Sequence, residues 1–194
     1  IDMKKIHQTL MFKFSTIRDL RKHFFNMIIL MLLIWFVELL NILTNRNLVG
    51  LGIYPRTLDG LLGIPLSPFI HNGIGHVLSN SLPLLILSGL VFIIEGNRFW
   101  LTTISIVLFS GLLVWIFSRS SYHVGASGLI FGYFGIIIMN GYIDRGFKAI
   151  IISFLTLFVY GSSIIYGLLP TNTFTSYESH IFGLLSGLII KFVF

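Results

Sequence analysis

Apolar residues occur in six long runs along the chain, and each run has about the length of a helix that crosses a bilayer. A bilayer core requires about 20 mostly apolar residues in a helix, which predicts spans near 24–43, 75–95, 99–118, 125–142, 148–168 and 177–194. Polar or turn-forming stretches separate the runs, namely TNRNLVG, EGNR, SRSSYH, YIDRG and LLPTNT. The pattern therefore predicts an all-α integral membrane protein built as a bundle of six transmembrane helices.

The longest connector, residues 44–74, lies between the first two predicted spans and contains Pro55, Pro65 and Pro68. Because its stretch LDGLLGIPLSPFI is apolar, we expect this first outer loop to lie in the membrane interface and not in water. Residues 1–23 are expected to form a basic cytoplasmic segment that contacts anionic lipid head groups. The sequence thus predicts two parts, which are this N-terminal segment and a membrane domain over residues 24–194.

Composition supports a membrane location for the protein. Of the 194 residues, 55% are hydrophobic and only 10% are charged, whereas about a quarter of the residues of soluble domains are charged. Cysteine is absent, which excludes a disulfide framework and a thiolate metal site. The net charge of +6 would suit nucleic-acid binding, but six of the thirteen Lys and Arg residues lie in the first 22 positions, next to the first span. We therefore expect lipid partners and no nucleic acid.

The distribution of basic residues predicts the orientation of the bundle. Six spans place both chain ends on one side, and cytoplasmic loops carry an excess of Lys and Arg. Only Arg46, Arg56 and Arg119 fall on the opposite side. The basic residues on the side of the chain ends are Lys4, Lys5, Lys13, Arg18, Arg21, Lys22, Arg98, Arg145, Lys148 and Lys191. Both termini are therefore predicted to be cytoplasmic, in what we expect to be a bacterial inner membrane.

Four polar residues within the apolar runs are the candidates for chemistry. His76 and Asn80 lie in the second span, Ser127 in the fourth and His180 in the sixth. These three spans enter the membrane from the outer side, and at about 1.5 Å per residue each polar side chain lies within roughly two turns of the outer surface. Polar side chains at membrane depth usually face the bundle interior or a water-filled cavity. We expect the four to share one outer layer of the bundle.

Stripes of glycine run along the fourth and the sixth predicted spans. The glycines are Gly125, Gly128, Gly132 and Gly135 in the fourth span, and Gly183 and Gly187 in the sixth. Such stripes let membrane helices approach closely, so we expect the two spans to pack glycine face to glycine face. His180 shares its face of the helix with the glycines of the sixth span, which would bring Ser127 within its reach. Taken alone, the glycines indicate only helix packing.

A serine within reach of a histidine indicates nucleophilic catalysis. His180 can take the proton of the Ser127 hydroxyl as a general base. No acidic residue is placed in a span at that depth to orient the ring, so a Ser–His dyad is predicted and not a triad. Phe131, four residues after Ser127, would stack on the imidazole. Free N–H groups at a helix start, with His76 and Asn80, would stabilise an oxyanion.

Three motifs resemble those of the rhomboid intramembrane serine proteases. They are HNGIGHVLSN in the second span, GASG at the start of the fourth and SHIFGLLSG in the sixth. The resemblance covers roughly residues 24–194 and implies a six-helix, rhomboid-like bundle. It implies that Ser127 is the nucleophile and His180 the base, and that His76, Asn80 and the Ser127 backbone N–H lie on the oxyanion side.

The resemblance also implies supporting residues and an activity. His71 matches a histidine near the mouth of the active site, expected to be structural or to organise water, and Gly125, Ala126 and Gly128 flank the nucleophile. Many relatives have Tyr where Phe131 stands, and a Trp-Arg pair in the first outer loop, where this chain reads GIYPRTLDGLLGI; roles in this loop stay open. The implied reaction is cleavage of a peptide bond in or next to a substrate's transmembrane helix, without a metal or organic cofactor.

Two other classes of function remain open from the sequence. A rhomboid-like protein could bind membrane helices without cleaving them, although such proteins usually lack the nucleophile or the base. A small transporter or metal-binding protein could use His71, His76, His123 and His180. Zinc needs three or four ligands at fixed positions, and HNGIGH is not the H-E-x-x-H pattern of zinc proteases. An α/β-hydrolase is excluded, because Leu129 breaks the G-x-S-x-G motif.

Overall fold

The fold of the chain is all-helical, as the hydrophobic pattern predicts. The computed structural model describes residues 17–170 and 176–193, so most of the predicted basic N-terminal segment lies outside the described residues. The α-helices of the described residues are α1 (Ile17–Leu43), α2 (Leu58–Leu66), α3 (Ile74–Glu95), α4 (Phe99–Phe117), α5 (Ser127–Asp144), α6 (Phe147–Leu168) and α7 (Tyr177–Val193). Short 3-10 turns occupy Asn47–Leu51, Ser67–Phe69 and Gly96–Arg98.

Four segments of the described chain are long and apolar enough to cross a membrane. They are Arg18–Leu43, Ile74–Phe117, Ser127–Asp144 and Phe147–Leu168. The second segment contains both α3 and α4, which are joined by a 3-10 turn. Helix α7 has 17 residues and is not among the four. These helices support an integral membrane protein, while the count of six spans stays a prediction.

The connector between α1 and α3 contains the short helix α2, which has one exposed apolar face. Thr57 caps the helix by accepting a hydrogen bond from the N–H of Gly60. Leu58 and Leu62, one turn apart, are 83% and 69% exposed. The opposite face is buried, and Ile64 packs there. Exposed leucines on a surface helix suit contact with lipid, which supports the expected position in the membrane interface.

Helices α5 and α7 pack against each other at backbone distance, and the predicted glycine-to-glycine contact is confirmed. A Cβ atom built on Gly183 would overlap the carbonyl oxygen of Gly128 in α5, and one on Gly187 would overlap that of Gly132. One turn further along α5, a Cβ on Gly135 would lie 2.7 Å from the carbonyl oxygen of Leu184. Glycine therefore allows an approach that no other residue permits at these positions.

Two buried carboxylates have basic partners at opposite ends of the bundle. Glu38 of α1 is 1% exposed, and its Oε1 lies 3.3 Å from Nη1 of Arg46, which supplies the partner that a charge at this depth requires. Glu95, at the end of α3, accepts a 2.7 Å hydrogen bond from Nζ of Lys191 in α7. The pair of Glu95 and Lys191 therefore connects the end of α3 to the end of α7.

Replacing Gly183 by alanine is expected to lower the free energy of unfolding by about 1–3 kcal/mol, the usual cost of overpacking. The added methyl group would push α7 away from the Gly128 carbonyl. Unfolding in detergent micelles measures the effect. Gly75→Ala is the matched control, because a methyl group there meets no atom within 4 Å and alanine is the better helix former. A Gly183→Ala protein as stable as the wild type would contradict the close packing of α5 and α7.

Candidate active site

Ser127 and His180 meet at the end of the bundle where α3, α5 and α7 begin. Ser127 is the first residue of α5, and His180 lies in the first turn of α7. Oγ of Ser127 is 2.9 Å from Nε2 of His180. Both residues are buried, with exposed fractions of 8% and 9%. This distance is the one that a nucleophile and its general base require for proton transfer.

The imidazole of His180 is held on two further sides. Its Nδ1 lies 2.7 Å from the backbone carbonyl oxygen of Gly167, in the last turn of α6. Because a carbonyl oxygen can only accept, Nδ1 carries the proton of the neutral ring, and Nε2 is left as an acceptor for the Ser127 hydroxyl. The ring of Phe131 stacks on the imidazole with 4.2 Å between centroids and 8° between planes. Sequence reasoning anticipated Phe131 and missed Gly167, because a backbone carbonyl has no sequence signature.

The backbone before Ser127 is fixed by two hydrogen bonds and a glycine. The N–H of Gly125 donates to the Ser67 carbonyl at 2.8 Å, and the N–H of Ala126 donates to Nε2 of His71 at 3.2 Å. Gly125 has φ of +115°, and a Cβ there would lie 2.7 Å from the ring of His76. A side chain at this position would therefore be strained and would collide with the neighbouring helix.

His71 connects this backbone to α1. Its side chain is fully buried, and burial, with a smaller contribution from nearby His76, lowers the pKa of His71 to about 3. The ring is therefore neutral at pH 7, so Nε2 can accept the hydrogen bond from Ala126. Nδ2 of Asn41, a fully buried residue of α1, donates to the His71 carbonyl at 2.8 Å. These contacts favour the structural role that was one of the two expected for His71.

His76 and Asn80 share one face of α3 and border the same backbone. Nδ2 of Asn80 is buried and has no hydrogen-bond partner within residues 17–170 and 176–193, and it would lie 3.7 Å from a Cβ on Gly125. The N–H of Asn72 points at Nδ1 of His76 from 3.5 Å, which leaves the proton on Nε2, the ring atom facing Gly125. Two side-chain N–H donors thus border the residues that lead into Ser127.

Three further residues lie around the pair formed by Ser127 and His180. Gly128 lets α7 approach, since a Cβ there would lie 3.3 Å from the Ser179 carbonyl oxygen. Glu178 directs its carboxylate to Arg119, with 3.3 Å between Oε1 and Nε. His123 lies near the start of α7, where Nδ1 is 2.5 Å from Oγ of Ser176. Within the described ranges, no group of three or more His, Asp or Glu side chains is arranged to hold a metal ion.

An open cavity of about 710 Å³ leads to Ser127 and His180. Residues of α3, α5 and α6 line it, and they include both polar side chains, such as Ser163 and Tyr160, and apolar ones, such as Ile164. Ligand sites in proteins commonly have about 300–1,000 Å³. The cavity therefore has room for a short segment of polypeptide and for water beside the Ser127 hydroxyl.

Comparison with known proteins identifies similar chains. The family model of the Rhomboid domain matches residues 59–194, a range that contains both Ser127 and His180. An uncharacterized protein of Mycobacterium tuberculosis is 32% identical over 170 residues, which cover 83% of this chain and 70% of the relative. An uncharacterized protein of Mycobacterium leprae is 32% identical over 173 residues, which cover 84% of this chain and 68% of the relative.

Proposed function

This chain belongs to the rhomboid family, and on that premise we propose that it is an intramembrane serine endopeptidase. Its substrates are membrane proteins, which it cleaves in or next to a transmembrane helix. The observation that carries the proposal is the 2.9 Å contact between Ser127 Oγ and His180 Nε2, at the base of an open cavity. Family membership supports the same reaction class, because rhomboid proteins are generally serine proteases of this kind.

The proposed reaction has two stages that use the same two side chains. In the first, Nε2 of His180 takes the proton of Ser127 as Oγ attacks the scissile carbonyl carbon, and the imidazolium then donates that proton to the leaving amine. In the second, Nε2 takes a proton from water, which attacks the acyl ester and releases the new carboxyl end together with the free Ser127 hydroxyl. No metal or organic cofactor takes part in either stage.

Negative charge develops on the carbonyl oxygen of the substrate in both stages. Ser127 opens α5, so its backbone N–H belongs to the first turn, whose N–H groups have no partner within the helix. The unpartnered amide of Asn80 and the Nε2–H of His76 border the same region. We assign these three groups to the oxyanion, and a single donor of this type is worth about 2.7–4 kcal/mol in the barrier.

The membrane setting restricts which substrates can react. Backbone amides of a transmembrane helix are hydrogen-bonded to each other and shielded by lipid, so the scissile segment must leave the helix before Oγ can reach it. Small or helix-destabilising residues near the end of a substrate helix lower this cost. We propose that both termini are cytoplasmic, because cytoplasmic loops carry an excess of Lys and Arg. Ser127 would then lie near the outer leaflet of what we propose is a bacterial inner membrane.

Ser127→Ala and His180→Ala are each expected to lower the cleavage rate of a model transmembrane substrate by at least about a thousandfold, because each removes a group that the chemical step requires. The purified proteins would be compared in detergent by gel assay. Ser88→Ala is the control and is expected to retain wild-type activity. Ser88 is also a buried serine, and its hydroxyl donates only to the Leu85 carbonyl in its own helix.

Equal cleavage by the wild type and all three variants would identify a contaminating protease and contradict the proposal. Substrate that binds the wild type and is never cleaved would favour a membrane-helix binding protein. Loss of cleavage in the presence of a chelator, with Ser127→Ala still active, would favour metal chemistry at the histidines.

Asn80→Ala is expected to lower kcat by about 10²–10³-fold with little change in KM, because the amide is assigned to a charge that exists only in the transition state. Steady-state kinetics on the same substrate measure both constants, and Ser88→Ala, two turns further along α3, is the matched control. A raised KM with unchanged kcat would mean that Asn80 binds the substrate in its ground state, and would contradict the assignment.

A further inference from the structure

The backbone carbonyl of Gly167 occupies the place that a carboxylate takes in a serine-protease triad. It lies on the far side of the His180 ring from Ser127, with its oxygen 2.7 Å from Nδ1. The nearest acidic residue along the chain, Glu178, directs its carboxylate to Arg119. We propose that the C-terminal turn of α6 is the positioning group of the catalytic base, an inference that rests on the proposed protease function and deepens it.

This carbonyl is available because of its position in the helix. Gly167 is the second-last residue of α6, and the last four carbonyl groups of an α-helix have no partner within it. The C-terminal end of a helix also carries a partial negative charge of about −0.5. The turn therefore supplies both features of a triad carboxylate: an acceptor for the Nδ1 proton and negative charge beside the imidazolium that forms during catalysis.

Glycine is required at position 167 for this contact. A Cβ built there would lie 2.6 Å from Cζ of Phe131 and 3.2 Å from Nδ1 of His180. Any side chain would push α6 away from the ring or displace Phe131 from its stacked position. Gly167, Phe131 and Ser127 thus hold the imidazole from three directions, and each of the three comes from α5 or α6.

The contact determines which nitrogen of the neutral ring carries the proton. With Nδ1 donating to the carbonyl, Nε2 is free to accept the proton of Ser127. Without this acceptor, the tautomer with the proton on Nε2 competes, and in that form the ring cannot act as a base toward Ser127. Activation of the nucleophile therefore depends on the position of the end of α6.

Helix α6 is an exposed element of the bundle, and activation of Ser127 depends on the position of its end. Phe154, Phe158 and Ile165 are all more than 60% exposed within the chain, and only a narrow stripe of the helix is buried. The last turns of the same helix line the cavity that reaches Ser127. A displacement of the end of α6 that widens the cavity would also lengthen the hydrogen bond between Nδ1 of His180 and the Gly167 carbonyl. His180 would then no longer be held as the base for Ser127.

A backbone ester between Gly167 and Leu168 tests the proposal without changing any side chain, because an ester carbonyl is a weaker acceptor than an amide carbonyl. The matched control is an ester between Leu155 and Thr156, about three turns earlier in α6, which also removes one helical N–H. We expect the first ester to lower kcat about five- to tenfold, the worth of one neutral hydrogen bond. KM should change less than about twofold, and the control should retain wild-type kinetics.

The ring nitrogens of His180 provide a second readout that needs no cleavage activity. In protein with ¹⁵N-labelled histidine, above the titration range of the ring, Nδ1 of His180 should give the shift of a protonated nitrogen and Nε2 that of an unprotonated one. His180→Ala assigns these signals by their loss. The ester between Gly167 and Leu168 should mix the two tautomers, and the control ester should not.

Three results would overturn the proposal: a wild-type ring protonated on Nε2, unchanged kcat in the first ester, or equal losses in both esters. If the wild-type protein cleaves no substrate, the protease function fails, and the nitrogen shifts still decide whether the carbonyl of α6 orients His180.

Discussion

The backbone contact between α5 and α7 is the constraint on which the candidate active site depends. Serine and histidine have short side chains, so their reacting atoms meet only if the two helices run very close together. Gly183 and Gly187 permit this, because each lies directly against a carbonyl oxygen of α5. Ser127 and His180 stand at the beginning of this interface, where Oγ and Nε2 are 2.9 Å apart. The packing of glycine on backbone therefore sets the distance that the proposed chemistry requires.

Around this contact, several of the buried polar groups are hydrogen-bonded to one another. A polar group without a partner is costly in an apolar surrounding. Nε2 of His71 has such a partner in the N–H of Ala126, and Nδ2 of Asn41 has one in the His71 carbonyl. Asn80 lacks such a partner for its buried Nδ2 in the described chain, as His71 does for its Nδ1. An unused donor beside Ser127 fits the proposed reaction, in which negative charge appears on the substrate only during the chemical step.

Much of this arrangement could be predicted from the sequence because it depends on periodicity. Apolar runs located most of the long helices to within two residues, as in the predicted span 99–118 and the observed α4, Phe99–Phe117. Helix α1 is the exception, because it begins at Ile17, seven residues before the predicted span 24–43. Span direction and glycine spacing led to the pairing of Ser127 with His180. The Gly167 carbonyl could not be found this way, since every residue has one and only the fold selects it. The contact between Glu95 and Lys191 could not be predicted either, because the two residues are 96 positions apart and no local sequence pattern relates them.

Covalent labelling by a fluorophosphonate tests most directly whether Ser127 is an activated nucleophile, because the reagent reacts with activated serines and needs no knowledge of the substrate. The purified protein in detergent would be treated and the modified residue located by mass spectrometry of peptides. The account predicts one adduct on Ser127 in the wild-type protein and its loss in His180→Ala. An unlabelled Ser127 in the folded wild type, or equal labelling of Ser127 after His180 is replaced, would contradict it.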